Sequence, residues 1–481
     1  MDFLANNRNY MKRILTKETP EKVGEKVKLE GWVQTRRDHG KLVFLDLRDR
    51  AGIVQVVFKA SKEVDPVRSE WVVRIEGEVK ERPENMKNPD LPTGTIEIAA
   101  AKLTVLAEAK PLPFDIETDG YEIAEEKRLK YRYLDIRRKR LQKVLTLRHR
   151  LIKFTRDFMD EKGFVEIETP LLTKSTPEGA RDYVVPSRVN PGKFYALPQS
   201  PQQYKELLMV GGIEKYFQIA RALRDEDPRA DRQPEHTQLD LEMAFVEQED
   251  VMNLVEEWIL KLTKFLEPLT KKRVLSSPLP RLTYKEAMEK YGSDKPDIRT
   301  DKKDQSVLAF AWVTDFPLVE WSKKEKRWDP VHHMFVLPKP GQEKLLDSDP
   351  GKVISTQYDL VCNGYELCSG SLRIHTRELQ EKVMQLIGLD LKEARKQFGH
   401  LLEAFEYGAP PHGGAAPGID RLTMLYAQEP NIREVIAFPK TGDGRDLMMD
   451  APSEISPEQL KELHIKIANP SSPRIRRARK K

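Results

Sequence analysis

The sequence predicts an α+β protein, in which a small all-β barrel precedes a larger domain built on an antiparallel sheet flanked by helices. Short β-rich segments fill residues 27–106, whereas helical and β-rich segments mix without regular alternation after residue 128. Regular alternation would instead favour a doubly wound parallel sheet. The sequence has neither a Gly-x-Gly-x-x-Gly fingerprint nor a P-loop, so it does not support a Rossmann or P-loop nucleotide site.

Five β-rich segments make up the predicted barrel, residues 1–109. They read VKLEGWV, LVFLDLRD, GIVQVVF, WVVRIEGEV and TIEIAAAKLTVL, and glycine- or asparagine-containing turns separate them. Five strands in about 80 residues make an OB-fold the leading candidate, with any other five-stranded β domain as the alternative.

The remaining elements follow in chain order. A proline-rich stretch, residues 110–127, is predicted to be a linker or hinge. Apolar residues at spacings of three, four and seven then predict a helix from Arg128 to Lys162, ended by Gly163. We assign residues 128–467 to the larger domain and expect the basic tail, residues 468–481, to be disordered.

Composition narrows the class of protein. The chain has 481 residues, 33% of them charged, and a net charge of only +5, which is typical of a soluble globular protein. No apolar run approaches the roughly 20 residues that span a bilayer, and the N-terminus lacks the apolar core of a signal peptide. Two cysteines, Cys362 and Cys368, are too few for a disulfide framework. We therefore expect a cytoplasmic protein with no membrane partner.

Two charged or glycine-rich segments could bind phosphate. Arg224 lies in RALRDEDPRADRQPEHTQLDLE, which reads as a hairpin between two strands. A solvated loop is the simple interpretation, but an arginine at the mouth of a sheet can also bind a phosphate through two hydrogen bonds. Arg421 ends GAPPHGGAAPGIDR, which is either a flexible loop or a second approach to a phosphate.

Two other clusters could hold a metal. Asp359 and Glu366 are seven residues apart around Asn363-Gly364, and Mg²⁺ accepts one or two carboxylates together with phosphates. Spacing alone nevertheless favours two unrelated acids. The pair His332-His333 has no cysteine or acidic partner at ligand spacing, so zinc is discounted.

Taken together, these segments resemble the bacterial-type aspartyl-tRNA synthetases from about residue 27 to residue 467. GFVEIETPLLTKSTPEGARDYVVPSR, the Arg224 segment and GIDRLTMLYAQEPNIREVIAFPK are similar to the three class II motifs, in order. The resemblance implies an N-terminal OB-fold anticodon-binding domain, a class II synthetase catalytic domain and a homodimer with the first motif at its interface. It also implies ATP, L-aspartate and tRNA(Asp) as substrates, with Mg²⁺ as the metal.

The resemblance further implies roles for individual residues. Arg224 would hold the ATP α-phosphate and the aspartate carboxylate, and Arg421 the γ-phosphate; both would be catalytic. Asp359 and Glu366 would carry Mg²⁺, which reverses the interpretation from spacing. The implied aspartate-binding residues are Glu178, Gln202, Gln203, Tyr204, Lys205, Arg224, Asp240, His332 and Arg373, with Lys205 and Arg373 on the β-carboxylate. The implied ATP-binding residues are Arg224, Asp225, Glu226, Gln233, His236, Glu366, Gly418, Ile419, Asp420 and Arg421.

In the barrel, the resemblance assigns the anticodon to Phe44, which would stack on a base, and to Arg37, Gln55 and Glu97, which would read base edges. A core position is the alternative for Phe44. Members that charge both the aspartate and the asparagine tRNA tend to have histidine where this chain has His39, and a second position linked to that choice falls at Asn85. The resemblance thus leaves two types open, one that also charges tRNA(Asn) and one strictly specific for tRNA(Asp).

The chain departs from the family pattern in two further places. Only about 90 residues separate Glu242 from His332, so we expect the usual bacterial insert domain to be absent. The phenylalanine that usually stacks on adenine is replaced by His236, whose ring could stack either as neutral imidazole or as a cation.

Three other functions fit the sequence less well. Asparaginyl- and lysyl-tRNA synthetases share the architecture, but two cations facing the substrate side chain, Lys205 and Arg373, suit neither asparagine nor lysine. A non-catalytic tRNA-binding protein derived from a synthetase would have lost the arginines or the acids that this chain retains.

Overall fold

The computed structural model describes residues 11–60, 62–176, 180–226 and 231–468. The chain folds into two compact units, Met1–Asp115 and Ile116–Lys481. Within the described residues, no helix combines the length and the apolar character that a bilayer crossing requires. The predicted disordered tail lies outside the described residues, apart from Ala468.

The first unit is a closed five-stranded barrel, as the sequence predicts, with its strands in the order β1-β2-β3-β5-β4. The strands are β1 Lys26–His39, β2 Leu42–Asp49, β3 Gly52–Lys59, β4 Val72–Glu81 and β5 Ile96–Ala107. Alternation along β2 buries Val43, Leu45 and Leu47 in the barrel core. Phe44 falls between them and lies on the outer face, so the core alternative for this residue is wrong.

The second unit is built on one eight-stranded sheet with the order β12-β14-β17-β18-β19-β10-β9-β6. Its strands are antiparallel except at the two edges, where β12 pairs with β14 and β6 with β9 in parallel. Three two-stranded sheets complete the unit. The strands of the unit are β6 Val165–Glu166, β7 Val184–Pro186, β8 Phe194–Ala196, β9 Lys215–Leu223, β10 Glu235–Ala244, β11 Arg273–Val274, β12 Arg281–Thr283, β13 Val307–Leu308, β14 Phe310–Thr314, β15 Val319–Ser322, β16 Arg327–Pro330, β17 Tyr358–Cys362, β18 Tyr365–Leu372 and β19 His412–Ala415.

Helices cover this sheet and bury its apolar residues. The α-helices are α1 Glu125–Lys130, α2 Arg132–Asp135, α3 Lys139–Glu161, α4 Gln202–Val210, α5 Gln248–Thr270, α6 Tyr284–Tyr291, α7 Leu345–Ser348, α8 Arg377–Leu386, α9 Leu391–Ala404, α10 Ile419–Ala427 and α11 Pro457–Glu462. Short 3₁₀-helices occupy Thr16–Lys22, Glu84–Met86, Pro350–Lys352, Phe405–Tyr407 and Ile432–Glu434. The main core joins α3, α5 and α10 to the central strands.

The single helix predicted from Arg128 to Lys162 is wrong in its first third, because the structure divides it into α1, α2 and α3. Asp135, fully buried, accepts hydrogen bonds from Arg132 Nη1 at 2.8 Å and Arg138 Nε at 2.6 Å. These ion pairs stabilise a turn between α2 and α3, which apolar spacing does not reveal. Gly163 follows α3 with a φ of 76°, a left-handed conformation that glycine adopts at low cost.

Candidate active site

A cavity of about 400 Å³ opens at the central strands of the second unit. The residues around it come from α4, β10, β18 and the start of α10, and from the segments that join the elements of this unit, including the one that follows β9. The predicted site residues that line it are Gln202, Lys205, Arg224, Glu226, Gln233, His236, Asp240, His332, Glu366, Arg373, Gly418, Asp420 and Arg421. The fold therefore brings together residues that lie more than 200 positions apart in the sequence.

The other predicted residues of this unit lie elsewhere. Gln203 and Tyr204 line a second cavity of about 190 Å³. Ile419, the first residue of α10, is fully buried in the main core, and Asp225 is not among the residues around either cavity. Glu178 lies outside the described residues.

The floor of the larger cavity holds two buried cations that share one carboxylate. Glu242 Oε1 accepts from Arg373 Nε at 3.0 Å, and Glu242 Oε2 lies 3.2 Å from Lys205 Nζ. Lys205 also donates to Asp240 Oδ1 at 3.2 Å. Both cations are at most 2% exposed, so their charges are fixed in position before any ligand arrives.

Glu242 was not predicted as a site residue, although it follows Asp240 by two positions on β10 and therefore faces the same way. Burial raises the pKa of Glu242, but Arg373 and Lys205 outweigh this effect, so its pKa lies below the ordinary value. A side chain at Gly414, on the neighbouring strand β19, would collide with the Glu242 carboxylate. The glycine thus makes room for the acid that holds both cations.

Two arginines, Arg224 and Arg421, also line the cavity, and we call their part of it the arginine end. Arg224 Nε donates to the backbone oxygen of Gln199 at 3.3 Å, which orients its guanidinium group. Arg421 Nη1 donates to the backbone oxygen of Glu366 at 2.8 Å, and its Nη2 donates to Asp231 at 3.2 Å. Arg224 directly follows β9 and Arg421 lies on α10, in the second and third predicted motifs, and both supply the positive charge that a polyphosphate needs.

Asp420, the residue before Arg421, accepts hydrogen bonds that connect α10 to two other elements. Its Oδ1 accepts from Arg148 of α3 at 2.5 Å, and its Oδ2 accepts from the backbone N–H of Thr237 at 2.8 Å. The carboxylate is thereby occupied on both sides and ties α3, β10 and α10 together. This position of α10 sets the direction from which Arg421 enters the cavity.

Asp359 and Glu366 lie on the same face of the sheet. A bulge between β17 and β18 pairs Val361 with Glu366 instead of Leu367, so Glu366 shares the face of Asp359. Asp359 is buried, and its Oδ2 lies 3.3 Å from His332 Nε2. Glu366 is partly exposed to the cavity and pairs with Lys295 Nζ at 2.8 Å. The described residues contain no group of three or more side chains that could by themselves hold a metal.

The pKa values of two cavity histidines, His236 and His332, are shifted in opposite directions. Burial, helped by Arg224 and Arg421, lowers the pKa of His236 to about 4, so this ring is neutral at physiological pH. Burial lowers the pKa of His332, but Asp359 outweighs it and raises the pKa above the ordinary value. Between the two alternatives for His236, the structure therefore favours neutral imidazole.

On the barrel, the predicted anticodon residues form a continuous patch on the outer face. Arg37 Nη2 donates to Gln55 Oε1 at 3.3 Å, and Gln55 Nε2 donates to Glu97 Oε2 at 3.0 Å. Asp46, which was not predicted, accepts from Arg37 at 2.9 Å. Phe44 is the cross-strand partner of Arg37, so the aromatic ring and the hydrogen-bonding groups lie side by side.

The two residues linked to tRNA choice differ in their surroundings. The His39 ring meets the Phe44 ring edge-on, with centroids 5.6 Å apart and an interplanar angle of 83°. Asn85 is exposed in the 3₁₀-helix Glu84–Met86.

Comparison with known proteins identifies the class. Residues 124–442 match the family of class II tRNA synthetases (D, K and N), and residues 27–106 match the OB-fold nucleic acid binding domain. The chain belongs to this class II tRNA synthetase family. The resemblance found in the sequence is confirmed by a curated relative, the aspartate–tRNA(Asp/Asn) ligase of Rubrobacter xylanophilus, which is 46% identical over 94% of this chain and 96% of its own length.

Two other comparisons agree with this assignment. The aspartate–tRNA ligase of Geobacillus kaustophilus is 43% identical, over 95% of this chain and 98% of its own. The crystal structure of asparaginyl-tRNA synthetase from Pyrococcus horikoshii complexed with asparaginyl-adenylate has a TM-score of 0.72 at 25% identity, covering 89% of this chain and 98% of that one. The two sequence alignments span 580 and 586 positions, whereas this chain has 481 residues, so both relatives carry residues that this chain lacks.

Proposed function

We propose that this protein is an aspartate–tRNA ligase, which activates L-aspartate with ATP and transfers it to the 3′ end of tRNA(Asp) and of tRNA(Asn). The observation that carries the proposal is the buried pair of cations on the cavity floor, Lys205 and Arg373, held by Glu242. Two fixed cations suit the side-chain carboxylate of a small acidic substrate. A lysine substrate would bring its ammonium group against these two cations, and the uncharged side chain of asparagine could form no ion pair with either of them.

The remaining polar groups suit the rest of the amino acid. Asp240 and Gln202 border the same cavity and would accept hydrogen bonds from the substrate ammonium group. His332, at the rim, would close over the bound substrate. An amino acid held at both ends presents its α-carboxylate in one direction, and such positioning lowers the barrier to attack.

ATP would lie along the arginine end of the cavity. In the first step, the α-carboxylate of aspartate attacks the α-phosphorus and pyrophosphate leaves. Arg224 would neutralise the charge at the α-phosphate, and Arg421 would bind the γ-phosphate. His236, which is neutral, would offer a flat face to adenine. In the second step, the 3′-terminal hydroxyl of the tRNA attacks the aspartyl-adenylate and AMP leaves.

We also propose a Mg²⁺ site at Glu366 with Asp359. Their donor set fits a hard cation, since a bulge turns both carboxylates to the same face and the lowered pKa of Asp359 keeps it ionised. When bound, Mg²⁺ would offset the negative charge of the ATP phosphates. Arg421 and Lys295 already border Glu366, so the polyphosphate would meet cations on several sides.

A homodimer and a cytoplasmic location complete the proposal. Val165, Leu171 and Leu172, in and directly after the first motif, expose about half of their surfaces, which supports an interface at this edge of the sheet. Residues 1–109 would bind the anticodon and residues 128–467 would carry catalysis, joined by residues 110–127. An enzyme of this class works where translation takes place, which is the cytoplasm.

The tRNA(Asn) part of the proposal rests on the edge-on contact of His39 with Phe44. The third anticodon base is C in tRNA(Asp) and U in tRNA(Asn), and the two expose different hydrogen-bonding edges. Because His39 touches the proposed stacking ring, it can adjust how tightly the patch holds that base. We expect comparable aspartylation of both tRNAs, and we expect His39→Leu to shift the preference toward tRNA(Asp). A hundredfold discrimination by the unmodified enzyme would contradict dual charging.

Aspartate-dependent ATP–pyrophosphate exchange tests the first step, and aminoacylation of purified tRNA(Asp) and tRNA(Asn) tests the second. We expect exchange with aspartate and none with asparagine or lysine at equal concentration. Exchange that prefers asparagine would contradict the substrate assignment. Binding of tRNA without any exchange would indicate a non-catalytic tRNA-binding protein.

A further inference from the structure

Directly behind the cavity floor lies a buried acid–base pair that the proposed mechanism does not use. Glu206 of α4 and His412 of β19 are at most 1% exposed, and Glu206 Oε2 lies 3.6 Å from His412 Nε2. Within the described residues, these two atoms have no hydrogen-bond partner. Their other polar atoms are occupied, since Gln202 donates to Glu206 Oε1 at 2.6 Å and His412 Nδ1 lies 2.8 Å from the Pro410 oxygen.

This geometry requires one extra proton. A backbone oxygen only accepts hydrogen bonds, so His412 Nδ1 must carry a hydrogen. With Nδ1 protonated, a neutral imidazole presents a lone pair at Nε2, which would face the lone pairs of a carboxylate in a dry environment. Two buried acceptors facing each other are unfavourable, whereas a proton between them satisfies both. Burial lowers the pKa of His412, but Glu206 and Glu242 outweigh it and raise the pKa above the ordinary value.

The pair is packed against the groups that we assign to aspartate binding. The backbone N–H of Arg373 donates to the His412 oxygen at 2.9 Å, and Glu242 of β10 faces the imidazole from the adjacent strand. Glu206 faces it from α4, and His375 faces it from the segment after β18. The nearby charged and titratable groups thus come from α4, β10 and the segment after β18.

The shared proton determines the net charge of the cavity floor taken together with the Glu206–His412 pair. The floor contains two cations, Lys205 and Arg373, and two anions, Asp240 and Glu242. These charges cancel, so Glu206 alone would make the region negative and the proton shared with His412 makes it neutral. An excess negative charge close to the floor opposes the binding of a carboxylate across a low-dielectric interior.

We propose that the proton shared by Glu206 and His412 sets the charge of the amino-acid pocket, and that His412 is thereby a positioning residue that determines selectivity for an acidic side chain. The inference rests on the proposed function, because it takes aspartate as the substrate. It adds two residues that do not themselves touch the substrate.

Three variants separate charge from simple packing, with KM for aspartate and KM for ATP measured by pyrophosphate exchange from pH 6 to pH 9. His412→Gln leaves Glu206 charged without a cation, so we expect KM for aspartate to rise at least tenfold, about 1.4 kcal/mol, at every pH. Glu206→Gln supplies a donor to neutral His412 and removes the charge, so KM should stay within about threefold of the unmodified value. The double variant Glu206→Gln/His412→Gln is also neutral and should restore the KM lost in His412→Gln.

The pH dependence of KM for aspartate is an independent test of the inference. In the unmodified enzyme, the proton is lost as the pH rises through the raised pKa of His412, so KM for aspartate should increase at alkaline pH. Glu206→Gln should flatten this increase, while the ammonium group of the substrate titrates equally in every variant and acts as the reference. KM for ATP should not change in any of the four proteins, and their thermal unfolding identifies a variant that is merely misfolded.

Two results would overturn the inference. Equal harm from Glu206→Gln and His412→Gln with no restoration in the double variant would mean that the pair only packs the floor. An unchanged KM for aspartate in His412→Gln would mean that the charge left on Glu206 does not affect the amino-acid pocket. A lack of aspartate-dependent exchange in the unmodified enzyme would instead refute the proposed function, so the two failures are distinguishable.

Discussion

Replacing Arg224 with alanine tests the assignment of this residue to the α-phosphate. Arg224 lines the cavity, and its only described hydrogen bond is from Nε to the backbone oxygen of Gln199. Among residues 11–60, 62–176, 180–226 and 231–468, no carboxylate pairs with it, so its removal strands no buried partner there. We therefore expect Arg224→Ala to fold normally, with a stability loss below about 1 kcal/mol.

The expected kinetic loss is much larger. A cation about 4 Å from a charge that develops in the transition state contributes up to about 4 kcal/mol at an effective dielectric constant near 20. Removal of one such stabilising group typically slows catalysis by about 10²–10³-fold. We expect the rate of aspartate-dependent pyrophosphate exchange to fall by this amount, while anticodon-stem binding to the separate barrel unit is retained.

Arg221→Ala is the matched control, because Arg221 lies only three residues before Arg224, on β9, and carries the same charge. Its side chain is 41% exposed and pairs with Glu235 outside the cavity, an interaction usually worth about 0–1 kcal/mol. Near-normal exchange by Arg224→Ala, or an equal loss in both variants, would refute the role given to Arg224.

Three further predictions concern Arg373, His236 and Glu434. Arg373→Lys keeps the charge but loses the two-nitrogen contact with its buried acid, so KM for aspartate should rise about 10–100-fold with little change in KM for ATP. His236→Phe should preserve KM for ATP and His236→Ala should raise it several-fold, whereas no change in either would place the ring away from adenine. Burial raises the pKa of Glu434, but Arg128 and Arg140 outweigh it and lower the pKa to about 2. Glu434→Gln should therefore cost about 3 kcal/mol in urea unfolding at pH 7, and this difference should shrink as the pH falls from about 4.5 toward 2.

The sequence alone was sufficient for the barrel, because its strands alternate apolar and polar residues and one face of each must enter a closed core. It was insufficient for the region after residue 128, where apolar spacing continues through the turn that Asp135 stabilises. The period of a helix reports which side is buried, but it does not report where a buried ion pair interrupts the backbone.

The candidate site shows even more clearly what a local sequence pattern cannot predict. The spacing of Asp359 and Glu366 argued for unrelated acids, and the two share a face only because a bulge shifts the register between β17 and β18. Glu242 was missed because its importance depends on neighbours from other elements, Lys205 on α4 and Arg373 after β18. Motif resemblance pointed to Lys205 and Arg373 but missed Glu242, and local pattern could show none of their contacts, since each contact joins segments far apart in the chain.

The cations of the site fall into two physical classes, and the difference bears on how the enzyme would separate selectivity from rate. Lys205 and Arg373 are buried and held by an anion, so they cannot move toward a ligand and accept only one that fits their positions. Arg224 and Arg421 are more exposed and are oriented largely by backbone oxygens, so they can follow phosphate groups as charge shifts during reaction. Changes to the floor should therefore alter which amino acid binds and how stable the fold is. Changes to the arginine end should alter how fast the adenylate forms, because a flexible polyphosphate needs charge that can adjust to it.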